Sequence, residues 1–375
     1  MGSNIVVFNA LQTSLSGGIG RYSYELSKSI YLKKALDLKI VVRKEDLSLF
    51  NFANKEDLII AENIKNSIDR NKYEQFILPR LVNKKYPNAV IHYPDSMAPF
   101  ICKNKVIITI HDLAFKSLKD VFTKKTVIWK SIATKLSVKK AKDIIAITNF
   151  TQNEIKAHYG EDIVNKTQVI LNGFNKFSDD KINEDNVNKD ILDLKNINYI
   201  LTVSTISPRK NIDGLIKAFN EIKEDNQYKL VIAGNNGWMF EKVYEEAEKL
   251  GIKDRILFTG KINDDELKYL YKHANIFVYP SYYEGFGLPP LEAMSFNVPC
   301  VVSNKTSIPE VVGNAAITVD PNSYKEIAKQ IEKFINSENL RNEYIQKGNK
   351  RLSKFSWEKC AEETIKLYKF EIMRE

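Results

Sequence analysis

Two glutamates eight positions apart, Glu284 and Glu292, form the clearest chemical pattern in this sequence. Two glycines lie between them, and glycine lets a ligand approach the backbone closely. Pro290 can begin a helix, whose N-terminus offers free N–H groups to an anion. The residues of this loop that we expect to contact a ligand are Gly285, Phe286, Gly287 and Leu288. The pattern predicts Glu284 in a loop at the ligand cleft, Glu292 in the first turns of the helix, and N–H groups that point towards an anion. The alternative is that helix N-termini favour acids for purely electrostatic reasons.

Adjacent cations, Arg209 and Lys210, follow an apolar run that is typical of a β-strand. The arginine guanidinium can bind two phosphate oxygens at once, and the lysine ammonium acts as a point charge. At the carboxyl end of a strand, this pair could clamp a diphosphate. The alternative is two solvated cations on an exposed loop.

Gly17 and Gly18 come soon after the first apolar run and open a helical segment. Their backbone could approach a phosphate group at the helix N-terminus. The run is neither a G-x-G-x-x-G fingerprint nor a P-loop, because no Gly-Lys-Ser/Thr follows. An ordinary tight turn remains the alternative.

His111 follows another strand-like run and is the histidine that we expect at the ligand site. We assign structural positions to His92, His158 and His273. The sequence has no D-x-D triplet and no cluster of His, Cys and carboxylate residues. It therefore predicts no metal site.

Each candidate follows a segment that must form a strand to position it. Short Val- and Ile-rich runs alternate with helix-period segments along the chain, which predicts parallel α/β units. The predicted strands are Ile5–Ala10, Leu38–Val42, Ala89–Tyr93, Val106–Ile110, Ile144–Thr148, Gln168–Leu171, Tyr199–Ser204, Lys229–Ala233, Ile256–Thr259, Ile276–Tyr279, Cys300–Ser303 and Ala316–Val319. Helices are predicted between them, for example at Asp213–Lys223 and Trp238–Leu250, and from Asp320 onwards.

A polar stretch of mixed charge from Asn175 to Asn198 separates the chain into two halves. We therefore predict two doubly wound Rossmann-like α/β domains that face a central cleft. Ligands of such sheets bind at the carboxyl ends of the strands. The predicted domains are residues 1–180 and 181–355, followed by a helix at 356–375.

The composition is typical of a globular protein: 43% of the 375 residues are hydrophobic and 27% are charged. No apolar run approaches the roughly 18 residues of a transmembrane helix. The N-terminus lacks the basic and apolar regions of a secretory signal. Because Cys102, Cys300 and Cys360 are far apart, we expect reduced thiols in a cytoplasmic protein.

The net charge of +9 is spread along the chain but is not uniform, because the segment from Lys116 to Lys142 contains nine lysines and one acid, Asp120. Interleaved apolar residues share one face of a predicted helix; they are Val127, Ile128, Trp129, Ile132, Ala133 and Leu136. Such a segment could bind an anionic membrane, could bind nucleic acid, or could be a solvated lysine face.

Taken together, these motifs resemble the retaining GT-B glycosyltransferases of family 4, the large group that carries E-x7-E. The likeness is greatest to bacterial mannosyltransferase-type members that build surface polysaccharides. It spans nearly the whole chain through the Gly17-Gly18 loop and five further segments: Thr109–Leu113, Pro208–Asn211, Tyr283–Pro289, Ser307–Ala316 and Phe355–Trp357. These motifs are specific for the family and do not identify the substrate.

The resemblance implies a GT-B fold whose first domain binds the acceptor and whose second binds the nucleotide-sugar donor. The last helix is expected to cross back onto the first domain. Gly18 would approach the donor phosphates, while Arg209 and Lys210 would neutralise the diphosphate. The loop after Gly285 would donate backbone hydrogen bonds to sugar and phosphate.

The same resemblance implies that Glu284 contacts the transferred sugar and Glu292 the ribose. His111 would lie near the reacting carbon and bind a sugar hydroxyl. Many members have Gly-Arg where this sequence has Ser204-Thr205. Because threonine cannot replace a guanidinium, Arg209 must supply more of the positive charge here.

Retaining members are thought to let the acceptor hydroxyl attack from the leaving-group face, with a phosphate oxygen taking its proton. This route needs no protein base. Without a metal, fixed cations and backbone N–H groups must stabilise the departing diphosphate. No cofactor is expected besides the nucleotide-sugar substrate.

The implied function is transfer of a hexose, with mannose from GDP-mannose favoured, to a saccharide or lipid-linked saccharide in surface polysaccharide or lipopolysaccharide synthesis. Residues 116–142 could then hold the enzyme at the inner face of the plasma membrane. The alternatives are a UDP-sugar-dependent transferase, a GT-B epimerase or phosphorylase, and a non-enzymatic basic binding protein. We expect no nucleic-acid partner.

Overall fold

The computed structural model describes residues 5–14, 18–176, 182–222 and 227–374. The chain divides into two compact units. Unit 1 comprises residues 1–173 together with residues 355–375, and unit 2 comprises residues 174–354. The sequence predicts boundaries at 180/181 and 355/356, whereas the two units divide at 173/174 and 354/355. The polar stretch therefore lies at the start of unit 2 and does not cross the boundary.

Each unit is built on one parallel β-sheet. The strands are β1 Ile5–Asn9, β2 Asp37–Arg43, β3 Leu58–Ala61, β4 Val90–Tyr93, β5 Lys105–Ile110, β6 Asp143–Ala146 and β7 Thr167–Val169 in unit 1, and β8 Tyr199–Val203, β9 Lys229–Ala233, β10 Ile256–Gly260, β11 Ile276–Tyr279, β12 Cys300–Ser303 and β13 Ile317–Val319 in unit 2. Their spatial order is β3-β2-β1-β4-β5-β6-β7 in unit 1 and β10-β9-β8-β11-β12-β13 in unit 2. Both sheets are therefore doubly wound, as predicted.

Helices connect the strands. They are α1 Gly18–Leu32, α2 Ser67–Lys72, α3 Leu78–Lys85, α4 Ala114–Ser117, α5 Lys124–Lys140, α6 Asn149–Tyr159, α7 Glu161–Val164, α8 Lys189–Leu192, α9 Ile212–Glu221, α10 Glu241–Lys249, α11 Asp264–His273, α12 Leu288–Ser295, α13 Ile308–Val312, α14 Tyr324–Asn336, α15 Glu338–Leu352 and α16 Trp357–Met373. None of these helices is long and apolar enough to cross a membrane.

Strand β3 was missed in the sequence because its four residues lie between charged neighbours, Asp57 and Glu62. It pairs only with β2, at the edge of the sheet. Apart from the remaining edge strands β7, β10 and β13, the other strands are Val/Ile-rich runs whose residues are mostly buried. This is expected where helices cover both faces of a parallel sheet. Cys102, Cys300 and Cys360 are free thiols, as predicted.

Helix α5 exposes its larger apolar side chains. The residues of this helix that are buried are the small side chains Ala133, Thr134 and Ser137, together with Val138. The larger apolar side chains project into solvent and are 45–60% exposed; they are Ile128, Trp129, Ile132 and Leu136. The predicted helix is present, but its large apolar residues do not belong to the core.

Helix α16 is part of unit 1. The hydroxyl of Ser356 accepts the N–H of Lys359 and caps the helix. The Tyr368 hydroxyl lies 2.5 Å from Nδ1 of His92, which is fully buried on β4. Burial lowers the pKa of His92 to about 3, so the imidazole is neutral and plays the structural role expected for it.

The carboxyl end of α16 packs against the amino end of β6 through two acidic side chains. Asp143 and Glu371 are both buried, and Oδ2 of Asp143 and Oε2 of Glu371 have no donor among the described residues. A proton held by one of the two carboxyl groups would provide the missing hydrogen bond. Burial, together with the hydrogen bond and the charge of Glu371, raises the pKa of Asp143 to about 7; Arg374 and Lys166 oppose this rise.

We predict that Asp143→Asn makes the protein more resistant to alkaline conditions. Because the native pKa of Asp143 is raised, the stability that it contributes is complete below its unfolded pKa of about 3.9 and is lost as the pH rises through about 7. An amide keeps a hydrogen-bond donor and never ionises. The difference in melting temperature between D143N and the wild type should therefore grow in favour of D143N from pH 5 to pH 8.

The matched control is Asp162→Asn, which alters an exposed aspartate of unit 1. Its melting-temperature difference from the wild type should stay constant over the same pH range. A D143N difference that is equally constant would show that the carboxyl pair does not share a proton.

Candidate active site

The site residues of unit 2 lie where its winding reverses. The chain leaves β8 towards β9 and β10 on one side, and later places β11, β12 and β13 on the other. β8 and β11 are therefore neighbours, and their carboxyl ends border a crevice of the kind that binds ligands in such sheets. Arg209 and Lys210 follow β8, whereas Glu284 follows β11.

The loop that carries the two cations has a fixed conformation. Pro208–Lys210 form a single 3₁₀ turn, and Asn211 ends it in the left-handed region at φ 56°. The Asn211 side chain donates to the carbonyl oxygens of Pro280 and Pro321. A Cβ at Gly214 would lie 2.2 Å from the Asn211 side chain, so only glycine fits there.

Hydrogen bonds join this loop to the loop after β11. The N–H of Tyr282 donates to the carbonyl of Arg209 at 2.8 Å, and Oγ of Ser281 lies 2.9 Å from the same oxygen. The two loops are thus held together without the charged side chains.

A buried ion pair lies at the centre of the site. Lys210 Nζ is 2.5 Å from Glu284 Oε1, and Arg209 Nη1 is 3.7 Å from Glu284 Oε2. The hydroxyls of Ser281 and Tyr279 donate to the same Oε1 at 2.6 and 3.1 Å. Lys210 Nζ also donates to the Tyr279 hydroxyl at 2.6 Å.

Glu284 is ionised in this setting. Burial alone would raise the pKa of its carboxyl, but the charges of Lys210 and Arg209 and the hydrogen bonds from Lys210 and Ser281 hold that pKa below its ordinary value. Two cations and one carboxylate leave one positive charge. The arrangement can therefore attract an anion.

The loop after Glu284 is braced by two hydroxyl side chains. The Ser307 hydroxyl donates to the carbonyl of Glu284 at 2.8 Å and lies 3.1 Å from that of Phe286, and Thr306 accepts the N–H of Glu284. Gly287 has φ 98°, and a Cβ there would lie 2.5 Å from Ile308. Its glycine identity is therefore demanded by both conformation and packing.

Helix α12 begins at Leu288, two residues before the Pro290 start that we expected. Its second and third residues are prolines, which have no N–H to donate. The backbone donors for an anion at this point are therefore reduced to the N–H groups that precede them. These belong to Gly285, Phe286, Gly287 and Leu288.

Glu292 lies within α12 and is buried. Its Oε2 accepts the hydroxyl of Tyr271 at 3.0 Å. The tyrosine belongs to α11, the helix that precedes β11.

In unit 1, His111 lies at the carboxyl end of β5. Its Nε2 is 3.1 Å from the carbonyl oxygen of Pro94, and its ring meets the edge of Tyr22 at 4.8 Å. Burial lowers the pKa of His111, while Asp95 and the Pro94 carbonyl partly oppose the shift. The neutral ring therefore donates from Nε2 and presents Nδ1 as an acceptor.

Gly18 is the first residue of α1, and Gly17 lies outside the described residues. A Cβ at Gly18 would meet no atom within 4 Å. By contrast, a Cβ at Gly20 would lie 2.4 Å from the backbone of Ser14. Packing therefore demands glycine at 20, while the surface at 18 is open to a ligand.

The structure brings Arg209, Lys210 and Glu284 into one cluster. Glu292 and the glycine loop belong to the same unit, whereas His111 and Gly18 belong to the other. Sequence reasoning missed four polar side chains of the site: Tyr271, Tyr279, Ser281 and Thr306. Ser281 and Thr306 lie beside motifs already recognised, while the tyrosines were indistinguishable from core aromatics. In the described part of the chain, no group of three or more His, Cys, Asp or Glu side chains could hold a metal ion.

Known proteins resemble this chain both in sequence and in structure. A family model described as "Glycosyl transferases group 1" matches residues 184–351, which lie within unit 2. O-antigen chain mannosyltransferase B of Escherichia coli is 30% identical over 379 aligned residues, covering 94% of this chain and 96% of that protein.

Solved structures match both units. Sucrose-phosphate synthase from Thermosynechococcus elongatus has a TM-score of 0.75 at 18% identity, with 98% of each chain covered. Anabaena HepE in complex with UDP and glucose has a TM-score of 0.71 at 17% identity, covering 98% of this chain and 99% of that one. These neighbours confirm that the predicted GT-B fold is present.

The mannosyltransferase relative is similar to this chain over almost its entire length. The protein belongs to the group 1 glycosyltransferases, with the GT-B fold.

Proposed function

We propose that this glycosyltransferase moves a mannosyl group from GDP-mannose to a saccharide or lipid-linked saccharide in surface polysaccharide synthesis. The observation that carries the proposal is the Lys210–Glu284 ion pair with Arg209 beside it. It offers net positive charge for a diphosphate and a carboxylate for the hydroxyls of a sugar. The mannose assignment is supported by the O-antigen mannosyltransferase relative.

Donor binding would change the partners of Lys210 and Arg209 from Glu284 to the diphosphate. A diphosphate that enters beside Lys210 and Arg209 draws both cations towards its oxygens, which releases part of the Glu284 carboxylate to bind a sugar hydroxyl. As the bond between the anomeric carbon and the phosphate oxygen breaks, the electron pair leaves with GDP. The two cations and the N–H groups of 285–288 stabilise the growing charge.

We propose retention of configuration without a protein base. Glu284 Oε1 already accepts hydrogen bonds from Lys210, Tyr279 and Ser281, which makes it a weak base. The acceptor hydroxyl would form its bond to the anomeric carbon on the leaving-group face. Its proton would pass to the phosphate oxygen that is departing. We propose that the fixed cations make a metal ion unnecessary for this step.

We propose further roles for His111, Gly17, Gly18 and Glu292. Nδ1 of His111 would accept a hydrogen bond from a sugar hydroxyl, because Nε2 donates to the carbonyl of Pro94. The open surface at Gly18 would admit the donor phosphates, together with Gly17. Glu292 would bind the ribose.

A UDP-sugar donor is the second candidate. The structural neighbour HepE was solved with UDP and with glucose. The cation pair itself recognises the diphosphate, which GDP and UDP share. An experiment must therefore distinguish guanine from uracil as the nucleobase of the donor.

We further propose that the exposed face of α5 binds an anionic membrane surface. The ring of Trp129 packs edge-on against exposed Phe100 at 6.3 Å, next to Ile128 and Ile132. Exposed lysines accompany these rings on the helix; they are Lys124, Lys125, Lys130, Lys135 and Lys139. Apolar side chains beside lysines suit the boundary between acyl chains and anionic headgroups. Such binding would hold the enzyme beside a lipid-linked acceptor at the inner face of the membrane.

Among GDP, UDP, ADP and CMP, we predict that GDP alone raises the melting temperature strongly. A ligand present at about 100 times its Kd adds roughly 2.7 kcal/mol to the unfolding free energy. The measurement is a thermal-shift series with each nucleotide in large excess. Stabilisation by UDP alone would indicate a UDP-sugar donor instead. Stabilisation by none of the four nucleotides would contradict the proposal that Arg209 and Lys210 bind a diphosphate.

Loss of either charge of the ion pair should abolish most transfer. We predict that Lys210→Met and Glu284→Gln each lower kcat/KM with GDP-mannose and a mannoside acceptor by about 100- to 1,000-fold, since each removes a group that stabilises the transition state. Transfer is measured by product chromatography in the presence of EDTA, where the wild type should remain active.

The control for the ion-pair variants is Lys217→Met, which removes the partner of Glu246 in a half-exposed pair of the same unit. It should leave transfer unchanged. Full activity of both K210M and E284Q would rule out the proposed roles, and loss of wild-type activity in EDTA would overturn metal independence.

We predict that Ile132→Ser combined with Trp129→Ser weakens binding to vesicles of phosphatidylcholine and phosphatidylglycerol, because it removes apolar surface from the lipid-facing side. Co-sedimentation measures the bound fraction, which should also fall with salt. Trp238→Ser, at a 57%-exposed tryptophan of unit 2, is the control. Equal binding by all three proteins would exclude α5 as the membrane surface.

A further inference from the structure

Glu292 accepts a hydrogen bond from a tyrosine of α11, which lies outside the loops that follow β8 and β11. The Tyr271 hydroxyl is 3.0 Å from Glu292 Oε2, and its side chain is fully buried. Burial raises the pKa of Tyr271 far above its ordinary value, with the nearby Glu292 charge adding to the effect. The phenol therefore keeps its proton and acts as a donor to the carboxylate.

The ring of Tyr271 has little freedom to move. It stacks on Phe296 at 5.8 Å with an interplanar angle of 13°, and it packs against Phe277 of β11 at 5.7 Å. Phe277 in turn stacks on Tyr279, the residue that donates to Glu284. One row of aromatic rings thus supports both glutamates of the E-x7-E pattern.

The helix that carries Tyr271 is itself fixed at its start. Asn263 and Glu266 form a reciprocal capping box at the N-terminus of α11. Such caps stabilise the first turn of a helix. The position of the Tyr271 hydroxyl is therefore determined by α11 and β11 rather than by the ligand loops.

A carboxylate that is bound at one oxygen cannot rotate freely. The Tyr271 contact to Oε2 restricts the rotation of the Glu292 carboxylate and hence the directions in which it can accept further hydrogen bonds. A ribose offers two neighbouring hydroxyls, whose recognition depends on that direction.

We propose that Tyr271 is a positioning residue that orients Glu292 towards the ribose and makes the enzyme select ribonucleotides over deoxyribonucleotides. This inference rests on the proposed function, in which Glu292 binds the donor ribose. Tyr271 acts through Glu292 and does not contact the donor.

The experiment measures the affinity of GDP, 2′-deoxy-GDP and 3′-deoxy-GDP by calorimetry for the wild type and Tyr271→Phe. Y271F should weaken GDP binding by about tenfold, the effect expected for one hydrogen bond to a charged group. It should weaken binding of the deoxynucleotide that lacks the recognised hydroxyl by less than about twofold, because that contact is already absent. If UDP is the nucleotide that binds, the same comparison is made with UDP and its deoxy forms.

Two further variants separate positioning from general damage. Tyr199→Phe removes another fully buried hydroxyl of the same unit, which donates to the carbonyl of Leu270 at 2.6 Å. It should leave the preference for ribose intact. Glu292→Ala should abolish that preference, and adding Y271F to it should cause no additional loss.

Equal weakening of all three nucleotides in Y271F, or unchanged binding of all three, would overturn the proposal while leaving the proposed function in place. A loss of ribose preference in Y199F would overturn it as well, since the effect would not be specific to Glu292. Failure of the wild type to bind either GDP or UDP would instead refute the proposed function.

Discussion

The buried ion pair between Lys210 and Glu284 is the interaction around which the rest of unit 2 is arranged. Removing a charge from water costs several kcal/mol, and attraction repays this only when hydrogen bonds satisfy the remaining polar atoms. Here the hydroxyls of Tyr279 and Ser281 perform that task. The pair joins residues 74 positions apart, so it can form only when β8 and β11 are neighbours.

Two residues near the ion pair have a left-handed backbone conformation. Asn211 and Thr306 both have positive φ, at 56° and 59°, and each contacts one of the loops that hold the charges. Residues in such regions cost free energy and persist where the surrounding structure determines them. In this protein they hold the cation loop and the glutamate loop at a fixed separation, so the ligand need not order them.

The sheets could be predicted from sequence because their Val- and Ile-rich runs are buried on both faces. The strand Leu58–Ala61 was not predicted, because it has only four residues and lies between charged side chains. The partners of Glu284 could not be predicted from the residues alone, since the alternation of strands and helices does not determine strand order. The two tyrosines behind the glutamates resemble core aromatics until the structure places their hydroxyls. The spacing in α5 predicted an apolar face, but only the small residues at 133, 134 and 137 show which face packs.

The path of the chain has a consequence for synthesis on the ribosome. Unit 2 is one continuous segment, whereas unit 1 is completed by residues from 355 onwards. The contact of His92 on β4 with Tyr368, and that of Asp143 on β6 with Glu371, can form only after α16 has been synthesised. Although N-terminal domains generally fold first during translation, the unit encoded first here is the last to be completed. Its sheet has all of its strands by Val169 but is not yet covered by α16, so it must remain unaggregated while all of unit 2 emerges.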